Sequence, residues 1–154
     1  MKQMSYSRSL AVEDGWDVIV CGSGPSGICA AVSAARQGQK TLLLERYGAL
    51  GGNLTLGNVT TIMGDIASGG LSGEIDRLLH SPDTATGIDR EKAKLRLTRL
   101  ISDAGVQFRL QTPVTDVIRE GTEIRGFVVL TPEGPACLKG KVYVDATGDG
   151  YVAA

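Results

Sequence analysis

Short apolar segments alternate with helix-like patterns in the first part of the chain. The apolar run Asp17–Cys21 is bounded by glycines, which is typical of a strand buried on both faces. The alanine-rich stretch Ile28–Gln37 stops at Gly38 and predicts a helix, because glycine commonly ends helices. Thr41–Glu45 predicts a second parallel strand. Together they form a β-α-β unit, whose crossover is right-handed in nearly all proteins.

Glycine dominates the next segment, since residues 48–73 hold eight glycines and little periodicity. Such a stretch inside a compact domain is uncommon unless it has a functional task. Leu71–His80 predicts a short helix, and the apolar spacing of Ile88–Ala104 predicts an amphipathic helix. Val106–Leu110 predicts a third strand.

The pattern changes to antiparallel strands with short turns from residue 114 onward. Strands are predicted over Val114–Arg119, Ile124–Leu130 and Ala136–Leu138, separated by turn-forming residues. Lys141–Ala146 predicts a fourth parallel strand. The fold class predicted is therefore α/β, with a Rossmann-like parallel sheet, flanking helices and a small antiparallel β-meander.

Length and polarity define the expected domain organisation. Residues 1–15 are polar and aperiodic, which predicts a flexible leader. Residues 16–154 are expected to form one domain, since a chain of 154 residues can bury roughly 70% of its unfolded surface but is too short for two full domains.

Composition excludes several classes of protein. A hydrophobic fraction of 42% excludes a disordered chain. Sixteen basic residues nearly cancel 17 acidic ones, so the net charge of -1 gives no electrostatic argument for nucleic acid or an anionic membrane as a partner. No apolar run approaches the ~20 residues of a membrane span, and the first residues lack the apolar core of a signal peptide. We therefore expect a soluble cytoplasmic protein.

Cysteine and histidine give no metal site. Cys21, Cys29 and Cys137 lack metal-site spacing and stand among apolar or small residues, so we expect buried thiols. His80 is the single histidine and cannot by itself build a zinc site or a Ser/His/Asp triad.

A glycine-rich hexapeptide follows the first predicted strand and opens the first predicted helix. Its residues are Gly22, Ser23, Gly24, Pro25, Ser26 and Gly27. This context fits the dinucleotide fingerprint, in which the first glycine permits a tight turn, the second admits a pyrophosphate and the third allows close packing. The helix N-terminus would supply N–H groups and partial positive charge to phosphates. A purely structural strand-turn-helix is the alternative.

Glu45 ends the second predicted strand, 21 residues after Gly24. This is close to the ~20-residue spacing of the acid that binds ribose. A carboxylate there can accept hydrogen bonds from both ribose hydroxyls and would repel a 2'-phosphate, which argues against NADP. The alternative is a solvated acid at a strand end. Arg46 either stacks on adenine or is simply exposed.

Four segments occur in an order that resembles a known family. They are DVIVCGSGPSGICAAVSAARQGQKTLLLER, then LGGN, then GLSGEIDRLL, and finally VDATGDG. In this order they resemble the FAD-dependent oxidoreductases among the two-dinucleotide-binding-domain flavoproteins, which include relatives of the fumarate reductase flavoprotein subunits. The resemblance spans residues 17–154.

The resemblance implies FAD as the cofactor, with its ADP half on residues 22–27 and Glu45. Gly51, Gly52 and Asn53 would follow the ribityl chain and pyrophosphate, where a Cβ on either glycine would intrude. The meander, from Val114, would present backbone groups to adenine. Further contacts would come from Ala146, Thr147, Gly148 and Asp149.

The resemblance also implies a reaction and a missing part. The flavin would transfer a hydride or an electron pair for a small organic substrate. Tyr151 stands where many family members have a second acid. The family's chain continues with a substrate domain and a C-terminal segment, so we expect a further C-terminal portion or a complementing polypeptide.

No catalytic residue is identified in the sequence. Asp65, Glu74 and Arg77 are interpreted as solvated or structural charges. Two other functions stay open: a non-enzymatic FAD-binding module completed by a partner chain, and a single-domain NAD-dependent dehydrogenase, against which the GGN and ATGDG elements weigh.

Overall fold

The structure is a computed structural model that describes residues 4–64, 69–82, 84 and 87–153. Asp65 lies outside the described residues. The strands are β1 (Ala11–Cys21), β2 (Thr41–Leu44), β3 (Gln107–Arg109), β4 (Val114–Glu120), β5 (Glu123–Thr131) and β6 (Gly134–Asp145). The helices are α1 (Pro25–Arg36), α2 (Gly70–Leu79) and α3 (Arg90–Asp103), with a short 3-10 helix at Gly52–Leu54.

The strands form one mixed sheet in the order β3-β2-β1-β6-β5-β4. Strands β1, β2, β3 and β6 run parallel, whereas β5 is antiparallel to both of its neighbours. In this sheet β2 and β3 lie on one side of β1, and β6 lies on its other side. This arrangement confirms the α/β prediction, and it creates a switch point at the carboxyl ends of β1 and β6, where open α/β sheets bind ligands.

Helices α1 and α3 cover one face of the parallel strands, and α2 packs against both of these helices. Val20 of β1 and Leu43 of β2 pack there against Ile28 of α1 and Leu97 of α3, and all four side chains are fully buried. The amphipathic spacing predicted for α3 is confirmed, because Ala93, Leu97 and Ile101 are its buried residues.

The meander covers the opposite face. Ile19 of β1 and Leu42 of β2 pack against Phe127 of β5 and Leu138 of β6. Burial on both faces explains why residues 18–21 of β1 and the whole of β2 are continuously apolar instead of alternating.

Strand β6 corrects the sequence-based prediction of two separate strands, Ala136–Leu138 and Lys141–Ala146. Its first half pairs with both β5 and β1, and its pairing with β1 continues through Trp16 opposite Gly140. The exposed Lys139 and the glycine after it interrupt the apolar pattern without interrupting the backbone ladder. A Cβ on Gly140 would lie 3.0 Å from Cγ1 of Ile19, so glycine permits close contact with β1.

The predicted leader is too long. Strand β1 begins at Ala11, and residues 11–13 pair with β6 before a register shift at 13–16. Polar side chains hid this segment from an apolar pattern, because strand pairing is made by the backbone. Glu13 contributes side-chain contacts as well, since Arg109 donates to its carboxylate at 2.7 Å and Trp16 Nε1 donates at 3.2 Å.

Several smaller predictions have clear outcomes. Cys21 and Cys137 are buried as expected, but Cys29 is only half-buried. Glu74 is a structural charge, with Arg36 2.6 Å from its carboxylate. Among the helices in the described part of the chain, none combines the length and apolar character needed to cross a lipid bilayer.

Candidate functional site

A cleft of about 1020 Å³ opens at the carboxyl ends of β1, β2 and β6. This volume is at the upper end of the roughly 300–1,000 Å³ of small-molecule sites. The fold brings most of the sequence-predicted site residues together in its lining, namely Gly22, Ser23, Gly24, Pro25, Ser26, Glu45, Arg46, Gly52, Asn53, Val114, Ala146, Thr147, Gly148 and Asp149.

Gly27 and Gly51 are not part of that lining, and both are required by packing. A Cβ on Gly27 would lie 1.8 Å from the carbonyl oxygen of Gly22. Gly51 has a φ of +107°, and a Cβ there would lie 2.6 Å from Cγ2 of Thr55. Gly27 thus allows the start of α1 to pack closely on the turn, and Gly51 allows close packing within its own loop.

The other two glycines of the fingerprint differ from each other. Gly22 has a φ of +97°, and its Cβ would lie 2.4 Å from the carbonyl oxygen of Ala146. Gly24 is extended, with φ -63° and ψ 178°, and a Cβ there would meet nothing within 4 Å. Neither backbone conformation nor protein packing therefore requires glycine at 24, but any side chain there would occupy the cleft.

Helix α1 begins at this glycine without a capping side chain, and its first turn has no acidic residue. The N–H groups of Ser26 and Gly27 have no acceptor within the helix, because first-turn amides never do. Together with the partial positive charge of the helix end, they favour an anion in the cleft.

Glu45 lies at the base of the cleft and is only 5% exposed, so it is not a solvated strand-end acid. Both the amide and the hydroxyl of Ser23 donate to Oε2, the amide at 3.0 Å. The amide of Tyr47 donates to Oε1 at 2.8 Å. A carboxylate can accept about four hydrogen bonds, so roughly one acceptor position is left over.

Arg46 lies at the mouth of the cleft and is exposed. Its guanidinium carbon is 4.7 Å from the ring centroid of Tyr47 and 5.5 Å from that of Tyr151. Tyr151 thus contributes an aromatic face beside a cation.

Asp145 organises the segment 146–153, which forms one wall of the cleft. Its carboxylate accepts from the amide and hydroxyl of Thr147 at 3.0 and 2.7 Å, and from the amides of Val152 and Ala153 at 3.0 and 2.9 Å. Burial acts to raise the pKa of Asp145, but the hydrogen bonds from these three residues outweigh it and hold the pKa below its ordinary value.

Cys21 pairs with Asp145 across β1 and β6 and lines the cleft. Burial, followed by the nearby charges of Asp145 and Glu45, raises the pKa of its thiol to about 12. Cys21 is therefore a protonated, unreactive thiol at neutral pH.

Sequence reasoning missed part of the wall, including Thr112, Pro113 and Tyr47. The connection from β3 to β4 crosses the end of β2, where Thr112 N donates to Glu45 O at 2.8 Å and Gln111 N to Tyr47 O at 3.0 Å. The crossing follows from β3 and β4 lying at opposite edges of the sheet, which no local pattern indicates. The motif VDATGDG includes Asp145, but no local pattern indicates its role as a hydrogen-bond acceptor.

Comparison with known proteins gives a family match over residues 17–154, to the model described as FAD dependent oxidoreductase. The thiamine thiazole synthase of Aeropyrum pernix is 32% identical over 148 residues, covering 86% of this chain and 54% of that protein. The thioredoxin reductase of Aquifex aeolicus is 31% identical over 123 residues, covering 77% of this chain and 34% of that protein. The chain thus spans about half or less of the length of these relatives.

Solved structures share the fold. The crystal structure of Thermovibrio ammonificans THI4 superposes with a TM-score of 0.68 at 21% identity, covering 91% of this chain and 60% of that one. A geranylgeranyl bacteriochlorophyll reductase-like protein of Thermoplasma acidophilum gives 0.64 at 23% identity, covering 88% of this chain and 40% of that one. A specific relation to the fumarate reductase flavoproteins stays a prediction.

Proposed function

The chain belongs to the family of FAD-dependent oxidoreductases, and from this premise we propose that it is the FAD-binding portion of a flavoenzyme acting on a small organic molecule. Its cofactor is FAD. The observation that carries the proposal is Gly24, a glycine that the protein itself does not need and whose open side is the cleft.

The cleft residues fit the adenosine diphosphate half of FAD. The first-turn amides of α1 would hold the pyrophosphate, and the open face of Gly24 would let it approach the backbone. Glu45 has an acceptor position for a ribose hydroxyl. Gly52, whose own Cβ would lie 3.0 Å from Cα of Gly24, keeps the neighbouring loop close to the same turn.

Bound FAD supplies the hydride or electron-pair chemistry. The residues of this chain would bind and orient it: α1 offsets phosphate charge, and Glu45 fixes the ribose. The Cys21 thiol stays protonated and takes no part as a nucleophile.

The substrate site belongs, in this proposal, to a further C-terminal portion or to a partner polypeptide. The length comparison supports this placement, since the chain spans 54% of the Aeropyrum pernix relative. A C-terminal portion or a complementing chain is accordingly part of the proposed functional unit.

The experiment that tests the proposal compares two glycines of similar backbone conformation, one that lines the cleft and one that does not. Gly24 and Gly69 both precede a helix in extended backbone, and a Cβ on either meets nothing within 4 Å. Gly24→Leu is expected to weaken FAD binding by at least about a hundredfold, because the side chain would fill phosphate space. Gly69→Leu, the matched control, should bind FAD like the parent.

Equal FAD affinity of Gly24→Leu and the parent, measured by titrating the apoproteins, would contradict the proposed site. Turnover with added electron acceptors then separates a flavoenzyme from a non-enzymatic FAD-binding module: reduction of an acceptor by the protein and its complementing portion supports the enzyme, and its absence supports the module.

A further inference from the structure

Ser23 connects three parts of the cleft although its side chain is fully buried. Its amide and hydroxyl both donate to Oε2 of Glu45, at the end of β2. Its carbonyl oxygen accepts from the amide of Gly51 at 2.9 Å. The side chain of this serine is thus bonded to another residue of the cleft, the Glu45 carboxylate.

These contacts determine how the Glu45 carboxylate is oriented. Two donors occupy Oε2, and the Tyr47 amide occupies one position on Oε1. Hydrogen bonds to a buried carboxylate are stronger than those between neutral groups, so they restrain the long glutamate side chain. Without the hydroxyl, Oε2 would keep only the Ser23 amide as a donor, and the carboxylate would be restrained less firmly.

We propose that Ser23 is a positioning residue for the adenosine half of FAD, which holds Oε2 of Glu45 so that Oε1 keeps its remaining acceptor position for the ribose. The inference deepens the proposed function and rests on it, because it requires the ribose to lie at Glu45. Ser23 acts through Glu45 and does not touch the cofactor with its side chain.

A double-mutant cycle tests this role, with ADP and FAD titrated into apoprotein as the probes. Ser23→Ala should weaken binding of both probes by about tenfold, the effect of one lost hydrogen bond to a charged group. In a Glu45→Ala background the same substitution should change affinity by less than about twofold, because Ser23 has nothing left to orient.

Thr41 provides the matched control. Its hydroxyl is equally buried, at 1% exposure, and donates to Gln39 O at 3.0 Å at the opposite end of β2. Thr41→Val removes a buried hydroxyl without approaching the cleft, so its affinity for ADP should equal that of the parent. Urea unfolding of each variant separates a loss of affinity from a loss of fold.

Unchanged affinity in Ser23→Ala, or an equal loss in both backgrounds, overturns the positioning role. Ser23→Cys, which keeps the size but donates weakly, replaces Ser23→Ala if alanine prevents folding, and the same loss is expected. A parent protein that binds neither FAD nor ADP contradicts the proposed function itself. If the parent binds both probes but the effects of Ser23→Ala and Glu45→Ala are additive, the proposed function stands and only the role of Ser23 is contradicted.

Discussion

Individual residues of the β1-α1 turn have separate physical tasks although they form one motif. Gly22 and Gly27 are needed because a Cβ on either would overlap a backbone oxygen. Gly24 has no such neighbour and an ordinary extended conformation. Substitutions should therefore affect stability at Gly27 and ligand affinity at Gly24.

Gly27→Ala should lower the free energy of unfolding by about 3 kcal/mol, because its Cβ would lie 1.8 Å from a backbone oxygen that cannot move aside. The free energy of unfolding of Gly24→Ala should stay within about 0.5 kcal/mol of that of the parent. Urea unfolding of the apoproteins measures both values. Equal stability of the two variants would contradict the close contact of Gly27 with the carbonyl oxygen of Gly22.

Cys21 should resist alkylation in the folded protein at pH 8. With a pKa of about 12, only about one thiol in ten thousand is ionised at that pH, and burial blocks access as well. Iodoacetamide labelling followed by peptide mass analysis should find Cys21 unmodified in the native protein and fully modified in urea. Rapid native labelling of Cys21 would contradict the burial and the raised pKa of this thiol.

Among the elements, the wall segment 146–153 depends on one carboxylate. Asp145 accepts four hydrogen bonds from that segment. Asp145→Asn should lower the free energy of unfolding by about 2 kcal/mol, since the amide nitrogen cannot accept from the N–H groups of Val152 and Ala153.

The contribution of Asp145 should also depend on pH. Because the pKa of Asp145 is lowered in the fold, its contribution is present above the unfolded pKa and is lost as the pH falls through the lower folded value. Urea unfolding of the parent and Asp145→Asn between pH 2 and pH 7 should show curves that converge at the acid end. Parallel curves would refute this assignment.

Helices and strands differ in how far the local sequence predicts them. Helices α1, α2 and α3 and the buried strands β1 and β2 follow from apolar spacing and glycine stops. The polar start of β1 and the continuity of β6 through Gly140 could not be predicted, because both are decided by pairing with a distant strand. For the same reason, the motifs predicted the turn and Glu45, but not the crossing segment at Thr112 or the donors on Glu45.

At the scale of the whole molecule, helices cover one face of the parallel strands, and the meander covers the other face. This leaves the carboxyl ends of β1, β2 and β6 as the place where backbone N–H groups and a buried acid meet in one cleft. FAD bound there would join the turn, β2, the loop at Gly52 and the segment 146–153. Ligand binding to the folded state alone should therefore raise the thermal midpoint with increasing FAD.

The visible absorption spectrum of the purified protein, with release and identification of the cofactor on denaturation, tests the central claim most directly. The predicted result is a yellow protein with flavin absorption bands that releases FAD, in a ratio of about one FAD for each chain. A colourless protein whose apo form does not bind added FAD, alone or with its complementing portion, would contradict the assignment of the cleft.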